Sequence, residues 1–507
     1  MRTVPTPRLI RSRCDTPSMR KDVDVLIVGA GISGIGAAYH LAAHRPETSF
    51  TVLDSQAGYG GTWRTHTYPG VRSDSDLYTF GYGFKPWKGK PIASAAQILD
   101  YLGEVIDENN LDQRFEYEHR IDSASWSSAA RRWTLTGEDT AAGVPFEYTC
   151  RFLWMCQGYY RHAEGFQPTW PGMDEFEGQI IHPQTWPDGL DYAGKEMVVI
   201  GSGATAATLI PAVADDVGHV TMLQRTPTYL RARPNTDELA ELLRELEVPD
   251  EWTHEIVRRK MISENAKFAD LCFEEPEVAK QQLLEGVREN LKTEHRDLVD
   301  TAFTPPYLPW RERVAVVPNG DLFQAINDGQ ASVVTDHIDH FTSTGIALKS
   351  GDHLDADIVV SATGFNLCVL GDIAFLVDGE PLEFHETITY HGAMFTGVPN
   401  MVWVFGYFRA SWTLRADLLA EFVIRLLDHM DDVSAEAVVP KLRPEDEGMQ
   451  LGPWIDPENF NPGYLRRGLH LLPQQGDHDP WIHRQDYLRE RELIKTWDLD
   501  DSALYYS

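Results

Sequence analysis

Asp24-Val-Leu-Ile-Val-Gly29-Ala-Gly31-Ile-Ser-Gly34 decides the fold. A short run of branched apolar residues is the composition of a strand buried on both faces. It ends in G-x-G-x-x-G and leads into Ile35 to Ala43, which has the character of a helix. Phe50-Thr-Val-Leu-Asp54 follows as a second strand, and its acid stands 20 residues after Gly34. A glycine pattern between strand and helix, with an acid at that distance, is the fingerprint of a dinucleotide-binding βαβ unit. Gly29 allows the tight turn, Gly31 lets backbone approach a pyrophosphate, and Gly34 lets the helix pack on the strand. Unpaired N–H groups and the positive dipole end of the helix then face the phosphates. Asp54 is positioned to take ribose hydroxyls.

The pattern occurs twice. Met197-Val-Val-Ile-Gly201-Ser-Gly203-Ala-Thr205-Ala206 repeats it with alanine in place of the third glycine, and Val220-Thr-Met-Leu-Gln-Arg225 is the strand that follows. Arg225, followed by Thr226, occupies the position where an NAD site carries an acid. A planar guanidinium there suits the extra 2′-phosphate of NADP. Two dinucleotide sites without a C-x-x-C dithiol imply electron flow from nicotinamide to flavin and on to a small acceptor, with molecular oxygen the obvious choice.

Bulk properties narrow the rest. A chain of 507 residues is too long for one ordinary core. A formal net charge of −32 disfavours nucleic acid and anionic membrane as partners. Five scattered cysteines (Cys14, Cys150, Cys156, Cys272, Cys368) argue for a reducing, cytoplasmic setting without a disulfide framework. No stretch has the length and apolarity of a membrane span, and no metal-ligand spacing is present. The oligomeric state is open.

Along the chain, residues 1–21 carry six basic side chains and one acid, a composition open to an organelle targeting segment, and are expected to form a disordered extension. Residues 22–160 form the first part of one α/β domain, including a helix from Ala93 to Glu108 and a β-meander through Trp133 and Leu135. Residues 161–190 form a linker. Residues 191–345 form a second α/β domain with a helical insertion at about 234–303. In the insertion Leu239, Leu242, Leu243 and Leu246 follow helical spacing, with Thr236 as the expected cap and the leucine stripe as expected core. Residues 346–507 return to the first domain, with Asp357-Ile-Val-Val-Ser-Ala-Thr-Gly364 expected as a strand of its sheet. The last fifty residues carry no pattern.

Two longer motifs make the resemblance specific. Phe176-Glu-Gly-Gln-Ile-Ile-His182-Pro-Gln-Thr-Trp186-Pro187 matches F-x-G-x-x-x-H-x-x-x-W-P. Gly60-Gly61-Thr62-Trp63-Arg-Thr-His-Thr-Tyr68-Pro-Gly70-Val-Arg-Ser-Asp74 matches G-G-x-W-x-x-x-x-[FY]-P-G-x-x-x-D. Both are signatures of Baeyer–Villiger monooxygenases, which the chain resembles from about Asp22 to its C-terminal region. It is most similar to the ethionamide-activating branch, through Gln224-Arg-Thr-Pro-Thr-Tyr and Ala410-Ser-Trp-Thr-Leu among other stretches. The resemblance implies two Rossmann-like domains, for FAD and NADP, with a helical insertion in the NADP domain. It implies FAD contacts from Gly29, Gly31, Gly34, Asp54, Gly61, Thr62, Trp63 and Asp74, and NADPH contacts from Gly201, Gly203, Thr205, Ala206, Arg225 and Thr226.

The family's catalytic arginine maps onto Arg313. A fixed guanidinium stabilises the anionic oxygenated flavin and the developing alkoxide. Asp74 is expected to orient it. His182 on the linker is expected to act as a gate or as a staple. Glu312 departs from relatives that place lysine there, which puts strict NADPH preference in question. The implied reaction converts a ketone to an ester or lactone, with sulfoxidation of thioethers beside it. Two alternatives stay open: an N- or S-oxidising flavin monooxygenase, and a non-catalytic flavin redox sensor.

Overall fold

The computed structural model describes residues 19–507. At its centre is the strand Met19–Val28, whose inner residues Val25, Leu26 and Ile27 are buried to 1% exposure or less. It pairs in parallel with Phe50–Leu53 on one side and with Val144–Met155 on the other. Val144–Met155 also pairs antiparallel with Arg132–Asp139, so the Rossmann-like sheet and the meander are one nine-stranded sheet. Met19, Arg20 and Lys21, expected in the disordered extension, instead open the first strand opposite Phe146, Glu147 and Tyr148. The remainder of that extension lies outside the described residues.

The second sheet has five strands, all parallel. Its order is Ala331–Thr335, His219–Gln224, Glu196–Ile200, Ile358–Ser361 and Gln179–Ile181. This corrects two assignments. Ile358–Ser361 belongs to this sheet, not to the first, and Gln179–Ile181 in the linker is its edge strand. A fully buried parallel strand has the same branched apolar composition in either sheet, so composition does not say which one it joins. The chain re-enters the first sheet later, through Ala374–Val377 and Met401–Trp403.

The helical insertion consists of Glu238–Glu245, Asp250–Glu274, Pro276–Asn290 and the short Leu298–Ala302. The first helix is capped by Asp237, whose carboxylate accepts from the Ala240 N–H at 2.9 Å; Thr236 is not the cap. The leucine stripe is core only in part. Leu239 and Leu243 pack inward, whereas Leu242 is 49% and Leu246 65% exposed. Helical spacing fixes which residues share a face, not how much of that face a neighbour covers.

The long helix Trp412–Asp432 packs on the helix Ile32–His44. At its start the fully buried Arg415 meets the equally buried Glu490 through Nε and Nη2 at 3.0–3.2 Å. Arg415 also donates to the carbonyls of His391, Gly392 and Phe405. The C-terminal segment is thereby locked to the loop that precedes Trp412. Among the described residues no helix is long and apolar enough to cross a membrane, and no cluster of His, Cys, Asp or Glu could hold a metal.

Candidate active site

The first glycine turn is built as its spacing predicts. Gly29 has φ +104°, and a Cβ there would lie 2.7 Å from the Cys156 carbonyl oxygen, so only glycine fits. A Cβ on Gly34 would lie 1.8 Å from the Gly29 carbonyl oxygen. The helix that begins at Ile32 has no side-chain cap and no acid in its first turn, which leaves its N-terminus facing the turn. Gly31 and Gly61 approach each other closely: a Cβ on Gly61 would lie 3.2 Å from the Gly31 Cα. Gly60 donates to the Ala30 carbonyl, and Thr62 and Trp63 begin a short helix in which Trp63 meets Phe80 edge-on. Bare backbone on two sides and an open helix N-terminus fit a pyrophosphate. Asp54 stands at this turn. Its carboxylate accepts from the Ala30 N–H at 2.6 Å and the Gln56 N–H at 2.8 Å, so it braces the turn itself. Burial pushes its pKa up, against those two N–H groups and the charge of Arg64.

The second turn is more open. Gly201 has φ +133°, and a Cβ there would meet the Ala362 carbonyl oxygen at 2.4 Å, but nothing lies within 4 Å of a Cβ on Gly203. The helix Ala204–Val213 again lacks a side-chain cap and a first-turn acid, and Ala206 is buried at the helix–strand contact. Ser202 donates to the Thr226 carbonyl at 3.0 Å and pairs with Thr228 at 2.8 Å, tying the turn to the end of the next strand. Arg225 is exposed there. Glu312 faces it: burial raises the Glu312 pKa, and the charges of Arg466 and Arg225 pull the other way.

The loop 68–74 of the first domain docks on this helix. A Cβ on Gly70 would lie 2.5 Å from the Ala212 Cβ. Tyr68 is buried with the Thr205 side chain facing its hydroxyl, and Arg72 forms an ion pair with Asp321. Neither Tyr68 nor Arg72 was singled out by the sequence, although Tyr68 and Gly70 are fixed positions of the motif that contains them.

Arg313 follows Glu312 at the end of the loop after the helical insertion. Its Nη2 donates to the hydroxyls of Tyr159 and Tyr464, each at 3.2 Å. Tyr159 stacks on Trp412 with ring centroids 5.1 Å apart, and the Trp412 indole N–H donates to Ser33 Oγ at 2.8 Å in the first turn of the Ile32–His44 helix. Arg313 is therefore linked through two side chains to the first glycine turn. Burial works against its charge. The oxygens of Tyr464, Tyr159 and Tyr160 and the more distant Asp74 carboxylate outweigh burial, so its pKa lies above the ordinary arginine value. Asp74 itself is exposed and forms no ion pair with Arg313 among the described residues. The side-chain hydrogen bonds of Arg313 go to two phenols, and Asp74 acts on it through its charge. Arg311 points elsewhere, donating to the Glu458 carbonyl and to Asn459 Oδ1.

His182 lies at the crossing between the domains. Its Nδ1 accepts from the Gln184 N–H at 3.1 Å and its Nε2 pairs with the Gly364 carbonyl at 3.1 Å, which fixes the neutral Nε2–H tautomer. Burial lowers its pKa despite the Gly364 bond. Buried Gln184 spans the carbonyls of Arg161 and His162 at 2.7 and 2.8 Å. Trp186 is half-buried beside Tyr192.

With this geometry in view, comparison with known proteins gives the class and then the family. The fold matches the crystal structure of OTEMO in complex with FAD and NADP (20% identity, TM-score 0.73, 96% of this chain and 99% of that one). It also matches cyclohexanone monooxygenase bound to ε-caprolactone (20% identity, TM-score 0.74, 96% and 100%). An NAD(P)-binding Rossmann-like domain model matches residues 27–102, and a flavin-binding monooxygenase-like model matches residues 93–238. The FAD-containing monooxygenase EthA of Mycobacterium tuberculosis is 43% identical over 96% of this chain and 98% of its own length. The probable FAD-binding monooxygenase AlmA of Acinetobacter baylyi is 42% identical over 96% and 97%. The chain belongs to this family of FAD-containing monooxygenases.

Proposed function

We propose that this monooxygenase performs Baeyer–Villiger oxidation: ketone, O2, NADPH and a proton give an ester or lactone, NADP+ and water. The observation that carries the reading is the link from Arg313 through Tyr159 and Trp412 to the first glycine turn, while its neighbour Glu312 feels the charge of Arg225 beside the second. FAD would lie on Gly29, Gly31, Gly34 and Gly61, and NADPH on Gly201, Gly203, Thr205 and Arg225. Bound there, FAD supplies the chemistry that takes hydride from NADPH and activates oxygen. The protein's own part is to hold a permanent cation in a partly buried place where negative charge develops on oxygen. Arg313 has five N–H donors, and its two tyrosine bonds leave donors free for that oxygen. The motif residues Trp186 and Pro187 support this reading over a purely N-oxidising enzyme, and thioether oxidation is its second activity. The buried, unpaired Cys150, Cys156, Cys272 and Cys368 fit a reducing cytoplasm.

Product analysis over 2-octanone, phenylacetone, a cyclic ketone and one thioether tests it. Ester or lactone from at least one ketone is expected; sulfoxide alone would replace Baeyer–Villiger chemistry by S-oxidation. Arg313→Ala should still accept hydride from NADPH and lose ester formation by about 10²–10³-fold in kcat.

A further inference from the structure

We propose that Tyr464, supplied by the C-terminal segment, is a positioning residue that holds the Arg313 guanidinium in its working orientation. The inference rests on the reading of Arg313 given above. No carboxylate is ion-paired with Arg313 among the described residues; its two side-chain hydrogen bonds go to the phenols of Tyr159 and Tyr464. The physical difference matters. A carboxylate would fix the guanidinium and also offset its charge toward a third, anionic group. A phenol accepts the hydrogen bond and remains neutral, so the cation's field stays available.

Tyr464 is itself held firmly against the Arg313 loop. Trp310, three residues before Arg313, has φ +62°, a conformation that costs a bulky residue energy and that the surroundings must impose. The segment 456–464 is bonded to the residue that follows Trp310. Asn461 N–H donates to the Arg311 carbonyl at 2.8 Å, Arg311 reaches back to Glu458 and Asn459, and Arg409 donates to the Asn459 carbonyl. The ring of Phe460 lies under both Arg313 and Arg409, at 5.9 and 5.8 Å. On the far side, Tyr464 meets Tyr160 edge-on at 5.5 Å, and Tyr160 packs on Phe365 at 4.7 Å. The Arg313 side chain is thus set between Tyr159, which follows the first sheet, and Tyr464, which lies 151 residues after Arg313 in the chain.

The test is a double-mutant cycle in the flavin-loaded, full-length enzyme with a ketone that the wild type converts. Tyr464→Phe removes one oxygen and no packing. It should lower the ester-forming kcat about tenfold and raise the share of NADPH electrons released as H2O2, with the rate of flavin reduction and the melting temperature unchanged. In an Arg313→Ala background the same substitution should have no further effect, because its influence runs through the guanidinium. A crystal structure of Tyr464→Phe should show the Arg313 side chain turned away from, or split about, its wild-type direction. The proposal is overturned if Tyr464→Phe keeps wild-type coupling and leaves Arg313 in place. It is overturned equally if the variant's loss persists at full size in the Arg313→Ala background, since that loss would then be structural. Normal ester formation by Arg313→Ala alone would overturn the catalytic reading itself, a distinct result.

Discussion

The two glycine-rich turns share a pattern and differ in how far the protein closes around them. The first is braced by the Asp54 carboxylate, faced by the backbone of Gly61 and covered at Ser33 by Trp412. The second has open space at Gly203 and an exposed arginine at its rim. On the function proposed above, one pattern serves a flavin held throughout turnover and a nicotinamide nucleotide that enters and leaves. The difference comes from what the rest of the chain stacks against each turn.

Gly34→Val is the strongest attempt to break this contrast. Its side chain cannot clear the Gly29 carbonyl oxygen, 1.8 Å from the Cβ position, so little flavin-loaded soluble protein is expected in expression and absorbance assays. Gly203→Ala meets nothing within 4 Å and should keep full flavin content while weakening NADPH; loss of flavin there would erase the distinction. The next largest effect concerns the clamp behind Trp412. Glu490→Gln leaves Arg415 buried without its counter-charge and should cost about 3–5 kcal/mol in denaturant unfolding.

A third test uses pH. His66, which closes the short helix that begins at Thr62, is held neutral in the folded protein, its pKa lowered to about 4 by burial and by His162 and His182. The unfolded chain takes up that proton near the ordinary pKa of about 6.5. Stability from this group is therefore complete above pH 6.5 and is lost as pH falls toward 4, by on the order of 3 kcal/mol. His66→Gln should flatten the fall of the urea midpoint over that range; an unchanged slope would remove His66 from the account. The smallest effect is expected at the open turn. Arg225→Ala should raise the NADPH KM about ten- to a hundredfold, or roughly 1.4–2.7 kcal/mol, with flavin content intact. No change would assign the 2′-phosphate to another cation, such as Arg466.

The turns and their helices were legible because their constraints are local: a glycine that must clear a carbonyl leaves its mark within ten residues. Arg313 was legible only through a long motif resemblance. Tyr464 was not, because its partner is 151 residues away and a lone tyrosine in an irregular stretch has no period. Asp54 was placed at the right turn, but spacing did not reveal that its carboxylate also accepts from the backbone N–H groups of Ala30 and Gln56. Ile358–Ser361 was seen as a strand but assigned to the wrong sheet, and Leu242 and Leu246 were expected inside and lie outside, for the related reason that covering surfaces are tertiary facts.

The chain passes between the two sheets twice, and the outgoing strand Tyr160–Gly165 pairs antiparallel with the returning Phe365–Leu367. A His182 bond to Gly364 sits at the same crossing. Two strands laced side by side behave mechanically like a strap hinge: they bend readily about one axis and resist sliding along their length. Where the chain crosses, ladder bonds and the His182 bond thus hold the two sheets to one another in a fixed register.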